Sequence, residues 1–424
     1  MDDRSHCVPA RVMSQNQERL LQLASMYKGL SRRKLAQELG RDASNLLPAN
    51  GNPKLDYLVK LARVLDWPIG EVADAILGAG DDGKHPSPDG GPRTDDAFDE
   101  LNAQAQCAHR EGRYGDMIEV AGRLLAVAKT ADQRALASLR EAGGWDGLGR
   151  YMLAHEAVRR GIAEPIESAD LRRLLQSNLA NGHYTLWNLF EARGMACKLL
   201  DDLERESSGT RVARAARAFA HYVVGHASRR LMGQQPAAAK EFAEAARRAL
   251  EESLNRYETL AAEFDHEPWR GIANTCRGGL LEVDVELGRQ PAEEAIAHIT
   301  RVVDGTSERA ALGDHLESLG WWCIFGCNIS LRHLGGRDLQ QSMSRLAKTG
   351  CEIAERLDNW SMRERLFTLE LGQREHLSDL AGVSVDWMLG DDKIKTIIGT
   401  MGRFPTFRQT GWRILQAGTA ARSN

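Results

Sequence analysis

Residues 29–77 read GLSRRKLAQELGRDASNLLPANGNPKLDYLVKLARVLDWPIGEVADAIL, and the order of apolar and turn-forming residues here decides how the rest of the chain is read. Ser31 is placed to accept a backbone N–H bond at a helix start, and Leu35, Ala36 and Leu39 follow at the spacing of one buried helix face. Gly40 ends that helix, since glycine enters the left-handed backbone region without a Cβ penalty. Asp42 is expected to restart the chain as the N-cap of a second, short helix carrying Ala43, Ser44 and Asn45. Leu58, Leu61, Ala62 and Leu65 form the stripe of a further helix, and Pro68 opens one more that runs to about Leu77. Upstream, Leu20, Leu21, Leu23 and Met26 suggest a helix between Gln15 and Lys28, preceded by a tail without periodic pattern.

The GLS opening, the KLAQELG helix and the NPKLDYLVKLARVL segment resemble the lambda-repressor-like helix-turn-helix of the Xre family. The resemblance implies a five-helix head over residues 14–77 that binds double-stranded DNA, with Arg32 and Arg33 near phosphates and Arg41, Ser44 and Asn45 facing base edges. Between Asn45 and Asn52 the chain is about three residues shorter than the family pattern, and Pro48 ends the recognition helix after little more than one turn. A head that keeps the fold but serves as a docking or dimerisation module therefore stays open beside DNA binding.

A chain of 424 residues exceeds one compact core of ordinary size, so two domains or an extended repeat array are expected. The formal net charge of −4 argues against an indiscriminate polyanion binder. Any nucleic-acid contact must come from a local patch, and residues 14–77 carry nine Lys or Arg against seven Asp or Glu. The seven cysteines include no C-x-x-C, and Cys323 and Cys327 lie within the apolar run GWWCIFGCNIS, which reads as buried free thiols. His221 and His226 are five residues apart and do not share a helix face as a metal pair would, so no metal and no cofactor is expected. The polar start MDDRSHCVPA and the lack of a long apolar run point to a cytoplasmic protein without a membrane span.

After Leu77 the sequence changes to GAGDDGKHPSPDGGPRTDD, which has little to bury and is expected to be a flexible linker over residues 78–96. From Ala97 onward the chain reads as helix almost without interruption. In FDELNAQAQCAHREGRYGDMIEVAGRLLAVA, Gly112 and Tyr114 mark a turn between two helices. In GHASRRLMGQQPAAAKEFAEAARRAL, Gly233 is taken as the turn glycine, and Ala238, Phe242 and Ala245 follow in a small, aromatic, small order. Further copies occur around Gly149 and Tyr151, Gly288 and Ala295, and Gly335 and Gly336, whereas residues 171–202 lack a turn glycine in register. These units resemble tetratricopeptide repeats (TPRs), with Tyr114 and Tyr151 spaced 37 residues apart against a family period of about 34. An irregular helical bundle is the alternative. On the repeat reading Phe242 is buried while Lys240 and Glu244 face water.

No nucleophile elbow, phosphate loop, dinucleotide fingerprint or metalloprotease motif is present, so catalysis is not expected. The fold class that follows is all-α, with a helix-turn-helix head, a TPR-like α-solenoid over residues 97–402 and a capping segment over 403–424. Such a solenoid offers a concave surface lined by the first helix of each pair. The resemblance implies peptide ligands held there by Asn, Lys and Arg, and register places Asn102, Gln106 and Arg230 on that surface, with Asn181 and Asn188 as further candidates. The run Arg211, Arg214, Arg217 could receive an acidic partner. The layout is similar to that of peptide-responsive bacterial and phage regulators, which implies a transcriptional regulator, expected as a homodimer, whose body senses a peptide or protein partner. The alternative is an adaptor whose repeat groove recruits another protein and whose head no longer binds DNA.

Overall fold

The computed structural model describes residues 30–46, 53–65, 95–206, 209–305, 313–381, 387–404 and 407–420, with single positions at 17, 18, 20, 21, 24, 69, 72, 73 and 76. The chain divides into two compact units, Pro92–Val385, and Met1–Gly91 together with Asp386–Asn424.

In the N-terminal part, α1 (Arg32–Leu39) starts where the Ser31 hydroxyl accepts the Lys34 N–H and stops at Gly40, whose φ is 64°. It buries Leu35, Ala36 and Leu39, while α2 (Leu55–Leu65) buries Tyr57, Leu61, Ala62, Val64 and Leu65. The short helix expected at Ala43–Asn45 is not formed. Those residues make a turn in which the Asn45 N–H donates to the Asp42 carbonyl at 2.9 Å. Helix nucleation fixes several residues for one hydrogen bond, and too few residues follow Asp42 before Pro48 to recover that cost. The flanking helices expected at residues 15–28 and 68–77 lie largely outside the described residues, as does the expected linker up to Asp95.

The body is a succession of helix pairs: α3 (Asp95–Arg110) with α4 (Tyr114–Val127), α5 (Ala131–Gly147) with α6 (Tyr151–Ala163), and α7 (Ala169–Thr185) with α8 (Leu189–Glu206). Then come α9 (Arg211–Gln234) with α10 (Ala239–Phe264), α11 (Glu267–Glu286) with α12 (Ala292–Gly305), α13 (Gly313–His333) with α14 (Gly336–Arg356), and α15 (Trp360–Ala381). This is a TPR-like α-solenoid. Side-chain caps start several first helices: Thr130 forms a reciprocal capping box with Gln133, Ser168 accepts from Leu171, and Thr210 accepts from Ala213.

One turn recurs along the array. The Gly112 N–H donates to the His109 carbonyl and the Arg113 N–H to the Ala108 carbonyl, and the same pair of bonds recurs at Gly149 and Arg150, Trp187 and Asn188, Gly288 and Arg289, and Asp358 and Asn359. This double bond closes a helix C-terminus around a left-handed residue. The unit without a turn glycine is therefore not degenerate in structure, because Trp187 takes the position with φ 66°. That conformation costs a non-glycine residue about 1 kcal/mol or more. The indole is put to use there, holding the guanidinium groups of Arg230 and Arg365 at 4.4 and 5.0 Å from its ring.

Gly233 does not fill the turn role expected of it. It lies in the last turn of α9, and the chain reverses instead through Gln235 and a short 3-10 turn, Pro236–Ala238. Phe242 is consequently half-buried, beside Phe190 at 6.4 Å between ring centroids, and Ala243 and Ala246 occupy the sealed helix contact. Lys240 is exposed, and Glu244 is half-buried and accepts from Arg289 at 3.0 Å.

The array closes on itself. The Asn359 side chain donates to the Gly147 carbonyl at 3.2 Å and the Trp360 N–H to the Leu148 carbonyl at 3.3 Å, joining the α5–α6 turn to the α14–α15 turn. A Cβ at Gly149 would lie 2.7 Å from the Ser361 backbone nitrogen, and one at Gly313 would lie 2.5 Å from the Arg110 carbonyl oxygen. Both positions thus need glycine for close approach as well as for positive φ.

Past the solenoid, β1 (Trp387–Leu389) pairs in parallel with β2 (Gly418–Ala420), with α16 (Asp391–Arg403) and α17 (Arg408–Ala417) between them. This three-residue ladder is a small departure, among the described residues, from an otherwise helical chain.

Candidate functional site

The solenoid surrounds a partly open cavity of about 270 Å³. Its wall comes almost wholly from the first helix of each pair, in stripes at helical spacing: Leu174, Asn178, Asn181 and Thr185 on α7, Phe219, Tyr222, His226 and Arg230 on α9, and Asp314, Glu317, Trp321 and Phe325 on α13. The second helices contribute tyrosines, Tyr114, Tyr151 and Tyr257. The lining is aromatic with a few convergent polar groups, the character of a small-ligand pocket.

Of the residues singled out in the sequence for ligand contact, the structure brings Asn181 and Arg230 to this cavity. Asn102 does not line it and instead accepts from Arg140 Nε at 2.8 Å, and Gln106 is exposed. Asn188 is exposed at the start of α8. Its side chain lies 3.5 Å from His183 Nδ1, and its carbonyl accepts the Ala192 N–H. The Arg211, Arg214, Arg217 row is engaged within the body: Arg211 over Phe264 and Trp269, Arg214 paired with Glu263, and Arg217 donating to the Leu203 carbonyl.

Charge in the cavity is unevenly distributed. Arg230 donates to the Tyr184 carbonyl at 3.0 Å and lies over the Tyr184 ring at 4.0 Å. Burial and the neighbouring Arg229 and Arg365 lower its pKa. Another group is formed by Asp146 from α5 with Asp314 and Glu317 from α13. Burial, then the Asp314 charge, raises Asp146 to about 7. Burial, then Asp146 and Asp314, raises Glu317 to about 8, against a hydrogen bond from Trp321 Nε1 at 3.1 Å. Asp314 is also raised by burial, and His109 Nε2, at 3.7 Å, opposes this only in part.

Two buried polar atoms at the cavity have no hydrogen-bond partner: Tyr114 Oη, on a residue 2% exposed, and His226 Nε2, on a residue 1% exposed. His226 Nδ1 accepts from Arg229 Nε at 3.3 Å, and burial pushes the imidazole pKa down, so the neutral ring carries its proton on Nε2 as an unused donor. Asp146, Asp314, Glu317 and Tyr114 line the cavity without having been expected there. The available signal was the row Asp314, Glu317, Trp321, Phe325, an acidic and aromatic stripe entering a run otherwise read as core.

In the head, the candidate DNA contacts are partly engaged. Arg32 Nε donates to the Ala43 carbonyl at 2.9 Å, and Arg41 lies 4.8 Å over the Tyr57 ring, whose hydroxyl burial pushes up to about 12. Arg33, Ser44 and Asn45 are exposed.

Among the described residues no group of three His, Cys, Asp or Glu is placed to hold a metal ion, and no helix is long and apolar enough to cross a membrane. Cys276, Cys323 and Cys327 are buried.

No protein-family model and no curated protein matches the chain. Among solved structures, the crystal structure of Bacillus thuringiensis PlcR in complex with the peptide PapR7 and DNA aligns at TM-score 0.31 and 11% identity, covering 84% of this chain and 99% of that one. The crystal structure of a Rap protein complexed with Competence and Sporulation Factor aligns at TM-score 0.41 and 11% identity, covering 95% of this chain and 99% of that one.

Proposed function

We propose that the chain is a ligand-responsive transcriptional regulator: the solenoid takes a peptide, or a segment of a partner protein, into its central cavity, and the helix-turn-helix-like head binds double-stranded DNA. The observation that carries this reading is the partly open aromatic cavity with unused buried donors at Tyr114 and His226, built where a repeat solenoid presents its concave face. Occupancy would favour one curvature of a solenoid whose α5–α6 and α14–α15 turns touch, and in a homodimer this shifts the population of head spacings that fit two half-sites.

The adaptor reading is favoured by a specific observation in the head. Its recognition segment is a single turn, and Arg32 and Arg41 are held by intramolecular contacts. Genome-wide immunoprecipitation of the tagged full chain separates the two. Sharp, reproducible sites that weaken in Asn45→Ala support the regulator, and an empty map assigns the head to docking.

A further inference from the structure

We propose that the acidic side of the cavity seats an organic cation, an alkylammonium or guanidinium group carried by the ligand, between the carboxylates of Asp146, Asp314 and Glu317 and the aromatic rings beside them.

Three observations converge on this chemistry. Among the described residues the three carboxylates meet no fixed cation: their one basic neighbour is His109, 3.7 Å from Asp314, while Arg230 is engaged with Tyr184 and Trp187. Like charges gathered in a low-dielectric site are unfavourable unless a counter-charge joins them. Independently, the buried Tyr114 hydroxyl, within electrostatic reach of all three carboxylates, has no hydrogen-bond partner. Tyr114 lines the cavity, and nothing in the packed wall satisfies its hydroxyl. Finally, the carboxylates are not grouped to share a metal ion, and the surrounding wall is aromatic. A larger, delocalised or weakly hydrated cation suits both facts, since it can be held by separated carboxylates and by ring faces within about 6 Å.

The inference deepens the proposed sensing function and rests on it for the statement that the cation belongs to a peptide. Its test separates the two. The full chain is titrated calorimetrically with two libraries of end-blocked hexapeptides, one holding Lys or Arg and the other Gln or Met at a fixed position, and with agmatine. The same titrations are repeated on Asp314→Asn/Glu317→Gln, whose folding is checked by thermal unfolding. These changes remove charge and keep shape.

The expected result is binding of the cationic library at least about tenfold tighter than the neutral one, an advantage lost in the double variant. Equal, carboxylate-independent binding of both libraries overturns the cation site and leaves peptide sensing intact. Carboxylate-dependent binding of agmatine without either library keeps the cation site and overturns the peptide. Silence from all three probes overturns both.

Discussion

Two charge clusters in the solenoid wall, one buried and one half-buried, are built on opposite plans. In the first, Arg229 and Glu282 meet at 2.6 Å, with Asn328 and Arg332 each donating to Glu282 at 3.2 Å, and Glu282 is 1% exposed. In the second, Asp146, Asp314 and Glu317 repel one another electrostatically, with His109 3.7 Å from Asp314. The first is saturated: every formal charge has an opposite, and its role is to fix α9 against α11 and α13. The second is unsaturated and lies on the cavity, where a missing partner can arrive from outside. Saturation, together with burial, separates a charge that holds the fold from one that waits for a ligand.

The largest expected effect comes from breaking the saturated cluster. Glu282→Ala leaves Arg229 buried without a counter-charge and should cost about 3–5 kcal/mol in a denaturant midpoint. A loss under about 1 kcal/mol would put Glu282 among surface ion pairs and collapse the distinction.

Opening the cavity should come next. Gly149→Val adds branching at φ 67° and a Cβ 2.7 Å from the Ser361 nitrogen, and should cost about 2–3 kcal/mol. If the seam encloses the acidic cluster, the same variant hydrates it, and Asp146 and Glu317 return toward ordinary carboxylate values, readable by carboxyl NMR titration. Unchanged titration would mean that the seam does not shield them.

The smallest effect sharpens the comparison from the other side. Tyr114→Phe removes a hydroxyl that bonds to nothing, so stability should stay within about 0.5 kcal/mol of wild type or rise slightly. A clear loss in thermal unfolding would show that the hydroxyl is already satisfied within the wall.

Much of this architecture was legible in local chemistry. Ser31, Gly40, Gly112, Gly149 and Gly288 act as the sequence suggests, because caps and left-handed turns depend on a few residues in one stretch. The turn at Trp187 was not legible, since tryptophan carries no turn preference and its place there depends on Arg230 and Arg365, distant in sequence. Gly233 misled for the converse reason: a glycine can sit inside the last turn of a helix while Pro236 does the turning. Arg230 was reached from a register counted from Gly233, and Asn181 as a further candidate by residue type. The acidic cluster was not, because Asp146 and Glu317 meet only when the array closes, an event with no signature in either segment.

The most direct test of the account is the dependence of folding stability on pH. Carboxyl groups whose folded pKa lies near 7 and 8, above their ordinary values, favour the protonated form in the folded state. Their contribution is fully present below about pH 4 and is lost as pH rises through 7 and 8. His155, His221 and His266, lowered to about 4, act in the opposite sense on the acidic side, so the informative quantity is the difference between wild type and Asp146→Asn/Asp314→Asn/Glu317→Gln. The triple variant is expected to gain stability over wild type progressively from pH 5 to 9, by at least about 1 kcal/mol at the upper end. Parallel profiles across that range would contradict it, showing that the three carboxylates already have their partners.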